Sequence, residues 1–207
     1  MDEAAGFHFE RIGAAVRAPS SLVLLHGSGG SETSLINFVH SIAPERTAFA
    51  VRGRVPWEGG YAFFRRNPDR SLDREDLAAR TVEFCDFLRH LNTAGHPKPV
   101  LVGYSNGAIL AAAAVVQAPE LSSGAVLLRP LSPNGKASFP PLRGYPVLLL
   151  GGMSDERRDT ADTPHLAEQF RRAGALVKAH LLPTGHALET GLDHWLAREW
   201  LLDRASS

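Results

Sequence analysis

A chain of 207 residues, 44% hydrophobic and 21% charged, has a globular composition and the length of one domain, so residues 1–207 are read as a single unit with a full-sized core. Its 22 Lys and Arg balance its 22 Asp and Glu, which excludes the basic field that draws nucleic acid or an anionic membrane surface. The lone cysteine, Cys85, excludes an internal disulfide and a thiolate zinc site.

The start, Met-Asp-Glu-Ala-Ala-Gly-Phe-His, has neither the basic nor the apolar region of a signal peptide. No apolar run approaches the ~20 residues that cross a bilayer. A cytoplasmic protein is expected.

The predicted elements begin with a strand at 22–25, closed by His26-Gly27, and a second at 48–51 before Gly53. A loop over 52–68 follows, carrying Trp57, Tyr61, Phe63 and Phe64. A helix is predicted over 74–91, with Leu77, Thr81, Phe84, Phe87, Leu88 and Leu91 on one face and Asp73 as its cap. Cys85 inside it reads as a thiol that only packs. Strands at 100–102, 125–128 and 147–150 are again apolar on both faces, as buried parallel strands are. A helix over 163–173 takes Thr163 as cap and Pro164 as first residue. A strand at 176–182 and an amphipathic helix over 189–202, with Leu192, Trp195, Leu196 and Trp200, end the chain. This alternation predicts an α/β fold with a mostly parallel, doubly wound sheet flanked by helices. Its active site belongs at the carboxyl ends of the strands.

After the strand 100–102 the chain reads Gly103-Tyr104-Ser105-Asn106-Gly107, and a helix-forming run begins at Ala108. This is G-x-S-x-G between a strand and a helix, the setting of a nucleophile elbow, with the Asn106 N–H placed for an oxyanion. A serine nucleophile requires a base and an orienting acid, here in the chain order Ser, Asp, His. Asp155 follows Gly151-Gly152-Met153-Ser154, and His186 follows Pro183-Thr184-Gly185. Asp159 and Asp162 are alternative acids. The second oxyanion donor is expected after the first strand, in His26-Gly27-Ser28-Gly29-Gly30, from the Ser28 N–H. That loop lacks the Lys-Ser/Thr of a phosphate cradle.

Of nine histidines none forms His-Glu-x-x-His, and no metal is expected. Arg65-Arg66 reads as solvated or ion-paired surface. Trp57, Tyr61, Phe63 and Phe64 are candidates for substrate binding, with a place in the core as the other reading.

At these residues the chain resembles the α/β-hydrolase superfamily, and within it the phospholipase/carboxylesterase family of small cap-less esterases and acyl-protein thioesterases. The resemblance runs over about residues 22–202. It rests on Leu25-His26-Gly27-Ser28-Gly29-Gly30, Arg52-Gly53, Phe63-Phe64-Arg65-Arg66, Gly103-Tyr104-Ser105-Asn106-Gly107-Ala108, Gly152-Met153-Ser154-Asp155 and Gly185-His186. The residues around Arg52 and Tyr104 are most similar to the bacterial branch linked to hydroquinone and quinone resistance. The resemblance implies the α/β-hydrolase fold, Ser105 as nucleophile, His186 as base, Asp155 as its partner, and Ser28 and Asn106 as backbone donors. It implies a carboxylesterase, whose serine mechanism needs no cofactor. An acyl-thioesterase or lysophospholipase would use the same groups, and a non-catalytic binding module would lack at least one of them. A lid in this superfamily commonly follows the strand at 125–128. Here Pro133, Gly135, Pro140, Pro141 and Gly144 break the segment 131–145, so no lid domain is expected, and the open cover of the site points to small or medium esters. The chain departs from the family in Glu156, where proline is common, and in the charge of residues 155–163. The expected partner is a small-molecule ester, not nucleic acid or membrane, and a homodimer is compatible with the sequence.

Overall fold

The computed structural model describes residues 2–13, 20–188 and 191–204. Its elements in chain order are β1 (Asp2–Ala4), β2 (Phe7–Ile12), β3 (Leu22–Leu25), α1 (Ile36–Ile42), β4 (Ala48–Val51), β5 (Val55–Trp57), β6 (Gly60–Ala62) and α2 (Arg74–Thr93). There follow β7 (Val100–Tyr104), α3 (Asn106–Gln117), β8 (Gly124–Leu128), β9 (Pro146–Gly152), α4 (Asp162–Arg172), β10 (Leu176–Leu182) and α5 (Leu192–Asp203). Eight strands form one sheet in the order β1-β2-β4-β3-β7-β8-β9-β10, while β5 and β6 make a separate hairpin. From β4 to β10 every pairing is parallel; β1 and β2 are antiparallel additions at one edge.

The central strands are apolar throughout because both sheet faces are covered. Leu22, Leu24, Val100, Val102, Val126 and Leu128 point into a core closed by Phe38, Val39 and Ile42 of α1 and by Ala197, Trp200 and Leu201 of α5. Their neighbours Val23, Leu25, Leu101 and Leu127 point the other way, into a core with Phe84 and Phe87 of α2, Ile109 of α3 and Phe170 of α4. The period of two in a strand divides one run of Leu and Val between two cores.

Several expected boundaries move. The third expected parallel strand continues to Tyr104, and the next two gain residues up to Gly124–Leu128 and Pro146–Gly152. Gly151 and Gly152 stay in the ladder opposite Leu181 and Leu182. Thr163 does not cap α4. It lies buried in the first turn, and the turn before the helix is organised by Asp159 and Asp162, whose carboxylates accept from Ala161 and Asp159 N–H at 2.8 and 3.0 Å. Of the expected final helix, residues 189 and 190 lie outside the described residues, and α5 starts at Leu192. Segment 131–145 holds neither helix nor strand. Phe139, Leu142 and Tyr145 plug it into the core, with Phe139 edge-on to Phe170, so it forms no lid.

Chain order reverses direction at β3, which has β4 on one side and β7 on the other. Such a switch point opens a crevice at the carboxyl ends of the two diverging strands. Here those ends are His26-Gly27-Ser28 and Ser105. Among the described residues no helix is long and apolar enough to cross a membrane.

Candidate active site

Ser105 alone joins β7 to α3, at φ 51° and ψ −106°, a conformation that costs an L residue on the order of 1–3 kcal/mol. The surroundings enforce it. A Cβ on Gly103 would sit 2.7 Å from Ala108 Cα, and one on Gly107 would collide with the Leu25 carbonyl oxygen. The G-x-S-x-G spacing is therefore a packing requirement between β7, α3 and β3.

His186 bridges the serine and an acid. Its Nε2 lies 2.9 Å from Ser105 Oγ, and its Nδ1 lies 2.9 and 2.8 Å from Asp155 Oδ1 and Oδ2. A carboxylate only accepts, so Nδ1 carries the hydrogen and Nε2 is left to accept the serine proton. Asp155 also accepts the Arg157 N–H at 2.8 Å. Burial pushes the imidazole pKa below the ordinary histidine value, against an upward pull from Asp155. The structure thus brings Asp155 to His186, while Asp159 and Asp162 are occupied in the turn before α4.

The N–H groups flanking the expected oxyanion donors are engaged: Gly29 with Tyr61 O, Gly30 with Gly27 O, and Gly107 with His26 O. Among the described residues the N–H groups of Ser28 and Asn106 have no acceptor. The hairpin β5-β6 holds the glycine loop, because Tyr61 N–H returns a bond to Gly30 O at 2.9 Å. Gly60 is needed there, since a Cβ would strike the Gly29 carbonyl. Arg52 grips Glu32 with two bonds of 2.6 and 2.5 Å and lies 4.9 Å over the Tyr61 ring. Beneath the loop, buried His26 donates from Nδ1 to Gly27 O at 2.7 Å and accepts the Gly53 N–H at Nε2 at 2.9 Å. Burial lowers its pKa as well.

The expected aromatic wall is corrected by the packing. Phe63 and Phe64 are 0% exposed and belong to the core under α2 and α3. Their backbone is anchored by the Asn106 side chain, which accepts the Phe63 N–H at 2.8 Å and donates to Phe64 O at 3.4 Å. Tyr61 is a support for the glycine loop, and Trp57 alone of the four lines the cleft over Ser105. Arg66, expected on the surface, lines that cleft too, its guanidinium 5.7 Å over the Phe64 ring.

Two arginines were not singled out in the sequence. Arg158 donates from Nη2 to Ser105 Oγ at 3.1 Å. Arg129, fully buried at φ 52°, binds Gly185 O, Thr184 Oγ1 and Ala187 O on both sides of His186. Its one sequence signal is a charge set directly after the apolar strand β8. Tyr104 completes the support, its hydroxyl donating to His186 O at 3.1 Å.

The cleft has a volume of about 800 Å³, within the range of small-molecule sites. Among the described residues no group of three or more His, Cys, Asp or Glu is gathered to hold a metal ion. Cys85 is buried in α2, and burial pushes its thiol pKa up to about 11.

Comparison with known proteins gives consistent neighbours. A Bacillus subtilis (strain 168) protein named "Putative hydrolase MhqD" is 32% identical over 182 residues, which are 86% of this chain and 90% of that protein. The crystal structure of the Bacillus cereus carboxylesterase superposes with a TM-score of 0.86 at 32% identity, covering 96% of this chain and 93% of that one. A carboxylesterase from Mesorhizobium loti gives 0.88 at 32% identity, covering 98% and 97%. No protein-family model matches the chain.

Proposed function

The chain belongs to the α/β-hydrolase superfamily, among its phospholipase/carboxylesterase-like esterases, and on that footing we propose that it is a serine carboxylesterase for small or medium esters. The observation that carries the proposal is the unbroken hydrogen-bond chain from Ser105 Oγ through His186 to Asp155.

Ser105 Oγ attacks the ester carbonyl carbon while His186 Nε2 takes the hydroxyl proton. The new oxyanion is received by the N–H groups of Ser28 and Asn106 at the start of α3, where the helix dipole adds to the stabilisation. Collapse breaks the bond to the alcohol oxygen, which leaves with the proton held by His186. Water, deprotonated by the same nitrogen, attacks the acyl carbon; the bond from that carbon to Ser105 Oγ breaks, Oγ takes the proton back from His186, and the carboxylic acid leaves. Asp155 keeps the imidazole in the Nδ1–H tautomer and stabilises its transient charge.

A small or medium substrate is supported by an open cleft of about 800 Å³ that no lid covers among the described residues. A p-nitrophenyl ester series from acetate to palmitate tests both parts. A kcat/KM maximum at short chains, without a rate jump above the micellar threshold, supports the proposal. A maximum at long chains with such a jump, or faster turnover of thioesters, favours the lysophospholipase or thioesterase. In Ser105→Ala turnover falls by about 10⁶-fold.

A further inference from the structure

The whole chain is electrically balanced, but the cleft is not. Six of its lining residues are cationic, Arg66, Arg70, Arg74, Lys136, Arg157 and Arg158, against the acids Glu58, Glu156 and Asp162. Two acids are committed, Glu58 to Arg70 at 3.9 Å and Glu156 to Arg157 at 3.7 Å. Asp162 accepts the Asp159 N–H.

Arg158 and Arg66 are the half-buried cations of this wall, and among the described residues neither has a carboxylate within 4.0 Å. Arg158 is held in place by neutral acceptors: Nε on Arg129 O at 3.2 Å, Nη1 on Arg157 O at 3.0 Å and Nη2 on Ser105 Oγ at 3.1 Å. Arg66 is held by Arg70 O at 3.0 Å. Each guanidinium is hydrogen-bonded but not paired directly with a carboxylate, and a half-buried charge without such a partner is costly. Burial, with the Arg158 charge acting second, pulls Arg66 down to about 10, and burial likewise lowers Arg158. The charges of Asp155 and Asp162 both reach Arg158 through space, but Asp155 is bonded to His186 and the Arg157 N–H and Asp162 to the Asp159 N–H.

We infer that the esters this cleft accepts best carry a carboxylate close to the scissile bond, bound by Arg158 together with Arg66. The inference rests on the esterase reading and names its substrate class. Because the Arg158 fork touches Ser105 Oγ itself, a carboxylate paired with it lies only ~1–3 carbons from a carbonyl in attack range. Half-esters of short dicarboxylic acids satisfy that geometry. Seating the carboxylate draws the Nη2 donor from Ser105 Oγ and leaves the oxygen lone pair for the attack.

The test compares monoethyl succinate with ethyl butyrate, which share a four-carbon acyl chain and differ in the terminal charge, by proton release in the intact protein. The succinate half-ester is expected to have a kcat/KM about 10- to 100-fold higher, from charge-assisted bonds to the guanidinium. The preference should shrink as salt is raised. In Arg158→Gln the ratio falls towards one, mainly through KM, and in Arg66→Gln it falls less. Equal or better turnover of ethyl butyrate by the wild type, with Ser105 still labelled by a fluorophosphonate, overturns the inference and leaves the esterase reading standing. A ratio unchanged in both folded variants overturns it as well. Absence of hydrolysis and of labelling together defeats the esterase reading, and this inference with it.

Discussion

Arg129 and Asp193 form a two-pronged ion pair, Nη1 to Oδ1 at 2.8 Å and Nη2 to Oδ2 at 2.7 Å, with both side chains fully buried. The same guanidinium holds Thr184, Gly185 and Ala187, so the His186 loop is tied to the end of β8 and to α5. Asp193→Asn strands a buried cation and is expected to cost about 3–5 kcal/mol in urea unfolding. The double replacement Arg129→Met with Asp193→Leu should regain most of that stability without regaining kcat, because the loop has lost its donors. Full activity in the double variant would show that the pair serves stability alone.

The pH dependence follows from burial. Only neutral His186 accepts the serine proton, and its pKa is lowered by desolvation. The acid limb of kcat/KM should therefore have its midpoint below ~6.5, the ordinary histidine value. Burial outweighs the upward pull of Asp155. A midpoint above pH 7 contradicts the account.

His26 is depressed in the same direction, and the sign for stability is fixed by linkage. Below ~6.5 the unfolded chain takes up protons that the folded His26 and His186 resist. Their contribution is complete above that pH and is lost as pH falls through the lowered folded values. Chemical denaturation from pH 8 to 4 should show stability declining over this window. His26→Gln should flatten part of the slope.

The aromatic residues separate by burial. Phe63→Ala and Phe64→Ala should each cost about 3–5 kcal/mol of stability, as truncations in a packed core do. Trp57→Ala, on the cleft wall, should leave the unfolding midpoint nearly unchanged and raise KM. Stability scans and Michaelis plots on the three variants check the division.

Much of this architecture is legible in the residues. The strands at 22–25, 48–51 and 176–182 coincide with the observed ones, and the elbow declares itself because only glycine fits at 103 and 107. The β2 strand escapes notice because its alternation, Phe7 and Phe9 in and His8 and Glu10 out, is brief. At seven residues α1 is too short for its periodicity to stand out. Phe63 and Phe64 have the same sequence signature whether they face ligand or core; the Asn106 side chain, 43 residues away from Phe63, decides. Arg158 reads as one charge among many, and its place beside Ser105 comes from the fold of the 155–163 turn. The partnership of Arg129 and Asp193 spans 64 residues and has no local pattern.

The assignment of Asp155 rests on its contact with His186, and the neighbouring acids provide internal controls. Asp155→Asn should lower kcat by about 10⁴-fold through the wrong imidazole tautomer. Asp159→Asn and Asp162→Asn should lower it by less than about tenfold, since their carboxylates serve the turn before α4. Steady-state kinetics on the three proteins ranks them, and a larger loss at either control would move the orienting role away from Asp155.

If Ser105 is the activated nucleophile, a fluorophosphonate must react there, and mapping its adduct decides the point. One adduct per chain is expected by intact mass, on the peptide containing Ser105, abolished in Ser105→Ala and slowed as His186 is protonated. An adduct on another residue, or undiminished labelling of Ser105→Ala, would contradict that role for Ser105.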